Sequence, residues 1–353
     1  MRKRVVYLLG AGAMIDFNGP ATSELTLLCS NLLKKYYCDK ILSELESTYG
    51  ERMYNFETII AAVENLLDWT IAHERLGAIN VQNTNVISSI FCNKFQNLSS
   101  EEYLKIYQDL INSIIDRTKK YDYEIVYNQK HQTLKRFFEQ KVNNETTKIY
   151  SLNYDRLIPR LLKNVIYDGT NLPLYGGFNY NLKGFICSEK TYFNLHGSIY
   201  LNMEYVRDLL SYKVVQHSIP QYLTYALEQE GGAPNDVKLF SPIIAGYSKS
   251  QRMLSEPFSF GLSAFMADCN LCDELVVIGY SFSDPHINSI IRNFIQIGSK
   301  TMIIVDKKDW QEIEKVLTTE FKVVFPFHEN KTGAYNEQYK IQISSKGFLE
   351  YMT

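Results

Sequence analysis

The chain has 353 residues, with 37 Lys and Arg against 39 Asp and Glu, a net charge of -2 and 45% hydrophobic residues. That length allows a sizeable core, and the near-neutral balance gives no electrostatic reason to expect direct nucleic-acid contact. No apolar run approaches the roughly 18 residues of a membrane span, and the scattered cysteines suit a reducing cytoplasm.

The basic start through Arg4 imitates a signal peptide, but the apolar run ends at Gly10 with no cleavage pattern after it. Arg4 to Leu9 therefore predicts a first buried strand. The turn Gly10, Ala11, Gly12 follows directly. Such a turn lets the backbone approach a pyrophosphate at the start of the next helix, although a tight strand-to-helix turn without a ligand explains it equally well. The dehydrogenase fingerprint would need glycine at position 15 and an acid ending a second strand about 20 residues on. The chain has Ile15 and then a helical pattern, which disfavours hydride transfer.

From about 24 to 143 the spacing is helical, with FETIIAAVENLLDW and EEYLKIYQDLINSIID carrying apolar residues three and four apart. A helical insertion over about 26–145 is predicted, packing as a lid or subdomain on the sheet. Its stripe Phe56, Ile59, Ile60, Val63, Leu66 and Leu67 is a core face or an interface.

Further strands are predicted at 148–152, 192–195, 274–279, 301–306 and 321–325. In SLNYD, Asn153 and Asp155 follow the first of these, where open α/β sheets bind ligands; Asp155 equally suits the N-cap of a helix starting near Arg156. In NLHGS, His196 leaves the next strand with Gly197 freeing the backbone, which makes it a candidate general base or a packed histidine. The stretches 167–184 and 230–235 read as loops. Cys269 and Cys272 form a single CxxC with no second pair, so they are ordinary cysteines at a helix end and no metal site is predicted. In VVIGYSFSDPHIN, Pro285 suits the first helical position and Asp284 the N-cap, leaving Gly279 and Ser281 to meet ribose or phosphate and His286 without a role. Asp306 ends TMIIVD, either as an acceptor for ribose hydroxyls or as a solvated loop acid. The fold class is α/β, Rossmann-like: a mostly parallel sheet with helices on both faces and a large helical insertion.

The four pieces, in this order, resemble the sirtuin superfamily, specifically its bacterial SIR2-like branch associated with antiphage defence. The resemblance covers roughly 4–25 and 148–306. The family's GAG turn is matched by Gly10, Ala11 and Gly12, its N-x-D triplet by Asn153 and Asp155, its H-G pair by His196 and Gly197, and its G-T-S turn by Gly279 and Ser281. The resemblance implies a SIR2-like NAD-binding domain whose sheet parts are about 4–25 and 148–306; the domain is expected to span 1–306 around the insertion, with a C-terminal extension over 307–353 packing on it. It implies NAD across the crevice as substrate. Asn153 would orient the nicotinamide ribose or a water, Asp155 would lie near the carboxamide, and His196 would act as base. Gly10, Ala11, Gly12, Gly279 and Ser281 would hold phosphates and ribose.

Departures from the deacylase pattern point the same way. The zinc ribbon's paired CxxC motifs are missing, Met14 stands where a serine is expected, and no acid-Phe-Arg segment follows Pro20. These departures weaken a deacylase reading, and the resemblance to the SIR2-like defence branch then implies NAD hydrolysis to nicotinamide and ADP-ribose, without zinc, as an NAD-depleting effector. The alternatives are an NAD-dependent protein deacylase and a non-catalytic module that senses NAD or ADP-ribose. Cofactor cleavage has to be held in check, so control by homo-oligomer assembly or by a separate partner is expected; the resemblance implies an ATPase or nucleic-acid sensor of the same defence system as that partner.

Overall fold

The computed structural model describes residues 2–76, 98–122, 127–163, 165–168, 178–179, 182–206, 209–214, 241–246, 249–254 and 257–353. The loop reading at 230–235, and most of that at 167–184, lies outside them. The chain divides into two compact units, one of Met1–Pro20, Thr118–Pro220 and Ser255–Thr353, the other of Ala21–Arg117 and Gln221–Leu254.

The first unit is built on an eight-stranded sheet in the order β4-β2-β1-β7-β8-β11-β10-β9. Its strands are β1 (Arg4–Leu9), β2 (Thr146–Ser151), β4 (Lys190–Asn194), β7 (Glu274–Ile278), β8 (Thr301–Val305), β9 (His328–Asn330), β10 (Gly333–Asn336) and β11 (Ile341–Ser344). From β4 through β11 every neighbouring pair is parallel, and only β10 runs antiparallel to its neighbours. Taken in chain order, the parallel strands lie 3-2-1-4-5-6, the doubly wound arrangement whose order reverses between the first and fourth, here β1 and β7. A smaller sheet joins β3 (Phe178–Asn179), β6 (Leu209–Val214) and β5 (Leu201–Val206).

Helices cover both faces of the large sheet, which is why its strands are continuous apolar runs. Val6 and Leu8 of β1 pack with Phe265, Ile291 and Leu317, from the helices Phe258–Leu271, Pro285–Ile297 and Trp310–Phe321. Val5, Tyr7 and Leu9 face the other way, into a cluster with Leu134, Phe138, Leu157 and Phe348, from Gln129–Asn144, Leu157–Leu161 and Phe348–Tyr351. Burying each such side chain contributes about 1.5–3 kcal/mol, enough to hold β1 at the centre. The helix Gln129–Asn144 starts cleanly because the Asn128 side chain accepts from the Lys130 N–H at 3.0 Å while His131 Nδ1 accepts from the Asn128 N–H at 3.2 Å.

The strand expected at 321–325 does not form. Phe321 ends the helix Trp310–Phe321, and Lys322 takes φ +60 as its left-handed cap, which turns the following residues out of the ladder. Ile341–Ser344 occupies the place beside β8 instead.

The second unit is helical where described: Thr22–Lys35, Asp39–Met53, Phe56–Leu76 and most of Ser100–Asp122. The stripe from Phe56 to Leu67 is buried. Arg252 donates to Glu64 at 2.9 Å and to the Tyr107 hydroxyl at 3.0 Å, and Lys249 reaches Glu57 at 3.1 Å, so the short helix Lys249–Met253 is tied to this unit by charge. No helix among the described residues is long and apolar enough to cross a membrane.

Candidate functional site

The ends of β1 and β7 turn against each other. The Gly10 N–H donates to the Ile278 carbonyl at 2.9 Å, the Gly12 N–H to the Gly279 carbonyl at 2.9 Å and the Ala13 N–H to the Gly10 carbonyl at 3.1 Å. A Cβ on Gly12 would lie 2.7 Å from the Gly279 Cα. Gly279 has φ +59, and a Cβ there would lie 2.2 Å from the Ala13 nitrogen. The glycines are thus required by the packing of two turns, backbone on backbone. Since these three N–H groups are already engaged, a pyrophosphate would meet the turn through its small surface rather than through those donors. The Ala11–Phe17 3-10 helix that follows is fastened by Asp16, which accepts from the Lys307 ammonium at 2.7 Å and the Leu349 N–H at 3.2 Å.

Asn153, leaving β2, donates from Nδ2 to the Gly10 carbonyl at 3.0 Å, which brings the second motif onto the first. The loop that carries it is shaped from the neighbouring strand end. Asn194 Nδ2 donates to the carbonyls of Asn153 and Asp155, both at 2.8 Å, while the Ser198 hydroxyl and the Ile199 N–H reach the Tyr154 carbonyl, both at 3.0 Å. Sequence reading passed over Asn194 because a strand's last residue gives no chemical signal until its neighbour is known.

Asp155 is 1% exposed, and its Oδ1 accepts from the Leu157 N–H at 2.9 Å, so it does serve the start of the helix Leu157–Leu161. Burial, reinforced by the Asp122 carboxylate and partly offset by the Tyr121 hydroxyl and the Leu157 N–H, pushes the Asp155 carboxyl up to about 7. Asp122 is also raised, mainly by burial, against the pull of Arg160 at 2.9 Å and the Arg156 N–H at 2.9 Å. Asp155 therefore belongs to a buried acid pair.

His196, leaving β4, is 5% exposed, and its Nε2 lies 3.0 Å from Oδ2 of Asp284, also 5% exposed. Asp284 is the N-cap of the helix Pro285–Ile297: its Oδ1 accepts from the His286 N–H at 2.9 Å and the Ile287 N–H at 3.4 Å. His286 Nδ1 lies 3.3 Å from the same oxygen. The connection from β7 is strained and pinned. Phe282 holds φ +57, its carbonyl accepts from Asn288 at 2.8 Å, and the Tyr280 hydroxyl bonds Asn288 Oδ1 at 2.9 Å and the Asp284 N–H at 3.0 Å.

Ser281 is exposed, with its hydroxyl 2.9 Å from that of Ser283. Asp306, at the end of β8, accepts from the Lys308 N–H at 3.0 Å. The contacts that join Asn153 to Gly10 and the glycine turns to each other do not extend to Ser281 or Asp306. Cys269 and Cys272 are buried thiols: burial holds Cys269 well above its usual range and pushes Cys272 up to about 12, and Cys272 Sγ donates to the Cys269 carbonyl at 3.4 Å.

A buried imidazole against a carboxylate and a side-chain amide fixed on a glycine turn thus lie at the exits of adjacent parallel strands, beside the point where strand order reverses. Open α/β sheets bind ligands in that crevice. The groups suit proton removal and orientation of a small nucleophile.

No family model and no curated protein matches the sequence. Among solved structures the chain is similar to a SIR2 homolog in complex with NAD, at 13% identity over 99% of this chain and 87% of that one, with a TM-score of 0.44. It is also similar to Sir2Tm bound to a propionylated peptide, at 11% identity over 99% of this chain and 91% of that one, with a TM-score of 0.42. The likeness is one of fold.

Proposed function

We propose that the crevice between the ends of β1 and β7 binds NAD as substrate and breaks its nicotinamide–ribose bond with water as acceptor, giving nicotinamide and ADP-ribose. The observation that supports this reading is that Asn153, bonded to the Gly10 carbonyl at 3.0 Å, and the buried His196 leave adjacent strands on the β1 side of the switch point. The glycine turns support it as a small-surfaced wall that a pyrophosphate can approach closely.

Because Asn153 spends Nδ2 on the Gly10 carbonyl, its Oδ1 is the atom turned to a ribose hydroxyl or a water. Loss of nicotinamide builds positive charge on the ribose, and oriented dipoles near that charge lower the barrier. Water then adds to the ribose carbon, and His196 takes the proton it loses. Such a base contributes roughly 10²- to 10⁴-fold.

The test is NAD consumption by the purified chain with product analysis, beside His196→Ala and Asn153→Ala, without acylated peptide. Nicotinamide and ADP-ribose from the wild type, with at least about 10²-fold loss in His196→Ala, is the expected result. Both variants consuming NAD at the wild-type rate would remove these roles. Conversion that requires an acylated peptide would assign protein deacylation instead, and tight NAD binding without turnover would assign a sensing module.

On the same reading the chain depletes cytoplasmic NAD in antiphage defence and is controlled by self-assembly or by a partner ATPase or nucleic-acid sensor. Light scattering after size exclusion tests the control. A monomer fully active alone would dismiss it.

A further inference from the structure

We infer that Asp284 is the positioning residue of this site: it holds His196 in the tautomer with its proton on Nε2, so that Nδ1 is the nitrogen that accepts a proton from the nucleophile. The inference rests on the reading of His196 as the base in NAD cleavage.

The two oxygens of Asp284 do separate jobs. Oδ1 accepts from the His286 and Ile287 N–H groups at 2.9 and 3.4 Å and so starts the helix Pro285–Ile297. Oδ2 lies 3.0 Å from His196 Nε2, where both side chains are nearly excluded from water. The approach is not aligned as a hydrogen bond as it stands, but a lone pair on Nε2 would face the carboxylate's negative charge, whereas a proton there is attracted to it and becomes its donor when the ring turns, so the neutral imidazole carries its proton on Nε2. The helix N-terminus favours the ionised carboxylate. Its backbone cannot swing away, because the Asp284 N–H is given to the Tyr280 hydroxyl at 3.0 Å and Pro285 follows with a fixed φ. The other titratable group shown facing this carboxylate is His286, with Nδ1 3.3 Å from Oδ1.

This division of labour makes Asp284→Asn unusually informative. Asn is as good an N-cap as Asp, so its oxygen stays on the His286 N–H, as Oδ1 does now. Its amide nitrogen then faces Nε2 and donates to it, which forces the imidazole proton onto Nδ1. The base nitrogen becomes a donor at the place where a lone pair is needed. In the serine-protease triad the equivalent amide substitution leaves the geometry intact and lowers kcat about 10⁴-fold. Asp284→Ser also keeps the cap, but its short side chain neither accepts from His196 nor donates to it, so the imidazole is loosened without being inverted.

The experiment compares wild type, Asp284→Asn and Asp284→Ser in the full chain. It reads kcat and KM for NAD across pH 5 to 9, thermal midpoints, and the nitrogen chemical shifts of His196. Midpoints close to wild type are expected for both variants. For Asp284→Asn, kcat is expected to fall about 10²- to 10⁴-fold with little change in KM, with the proton moved from Nε2 to Nδ1; Asp284→Ser is expected to lose less. Wild-type kcat and pH profile in Asp284→Asn would overturn the inference and leave Asp284 as a helix cap. So would a wild-type His196 whose neutral form carries its proton on Nδ1, a result that does not depend on any variant folding. If wild type fails to cleave NAD while the nitrogen shifts place the proton on Nε2 and move it in Asp284→Asn, the positioning stands and the function proposed for the site falls.

Discussion

Replacing Gly279 with alanine would place a methyl carbon 2.2 Å from the Ala13 nitrogen, 2.3 Å from the Gly12 carbonyl carbon and 2.5 Å from the Gly12 Cα. All three are backbone atoms, so no rotamer change relieves the contact. Two costs add. Holding a residue with a Cβ at φ +59 costs about 1–2 kcal/mol, and forcing extra volume into a closed contact costs typically about 1–3 kcal/mol. Together they predict a loss of about 2–5 kcal/mol, a large share of the 5–15 kcal/mol that usually holds a folded protein together. Gly298 supplies the control: it has φ +69, but the nearest atom to an added Cβ is 3.9 Å away. Gly298→Ala should therefore show the backbone term alone, about 1–2 kcal/mol. Urea denaturation of both variants measures the difference, provided the m-values agree. A Gly279→Ala midpoint indistinguishable from that of Gly298→Ala would refute the view that the β1 and β7 turns are packed against each other.

Asn194→Ala strips the donor from the buried carbonyl of Asp155 and the part-buried one of Asn153, and should cost about 2 kcal/mol or more while lowering the proposed NAD turnover, since the loop carrying Asn153 loses its brace. Thermal melts and turnover rates on the same samples check it, and unchanged turnover would detach Asn194 from the site. The buried acids make stability depend on pH. Folded Asp155 holds its proton up to about pH 7, whereas an unfolded aspartate releases it near 4. Between those limits the folded state binds the extra proton, so this group's contribution falls as pH rises, by up to about 1.4 kcal/mol per unit, and levels off above 7. Melting midpoints at pH 5.5 and 8 should therefore drop more for wild type than for Asp155→Asn, which has no proton to release; equal drops would show that Asp155 ionises normally.

The strands around the site were legible because burial on both faces leaves continuous apolar runs, as in Val5 to Leu9 and Leu275 to Ile278. The far edge was not. Residues 321–325 are apolar enough for a strand, but whether such a run pairs is decided by the left-handed turn at Lys322, which a lysine does not advertise. The strand that takes its place, Ile341–Ser344, is short and sits in a stretch the pattern left unassigned. In the crevice, strand-exit logic singled out Asn153 and His196 as candidates, whereas the glycines owe their identity to each other as much as to any ligand. Asp284 was fully explained as a helix cap, and that explanation was true but incomplete. A carboxylate has two oxygens, and only the folding of β4 toward the β7 connection reveals what the second one meets.

The central position of β1 also sets an order of events during synthesis. Val6 pairs with Lys148 on one side and Leu275 on the other, so the first strand made waits for partners that emerge far later. Pairings so distant in sequence form slowly. A ribosome-bound chain that has reached His196 has the imidazole and the Asn153 amide, but lacks both the turn at Gly279 that Gly10 and Gly12 pack against and the carboxylate that faces the imidazole. On the proposed function, truncated products ending before Gly279 lack that turn and that carboxylate, and activity is expected only in chains that extend past Asp284.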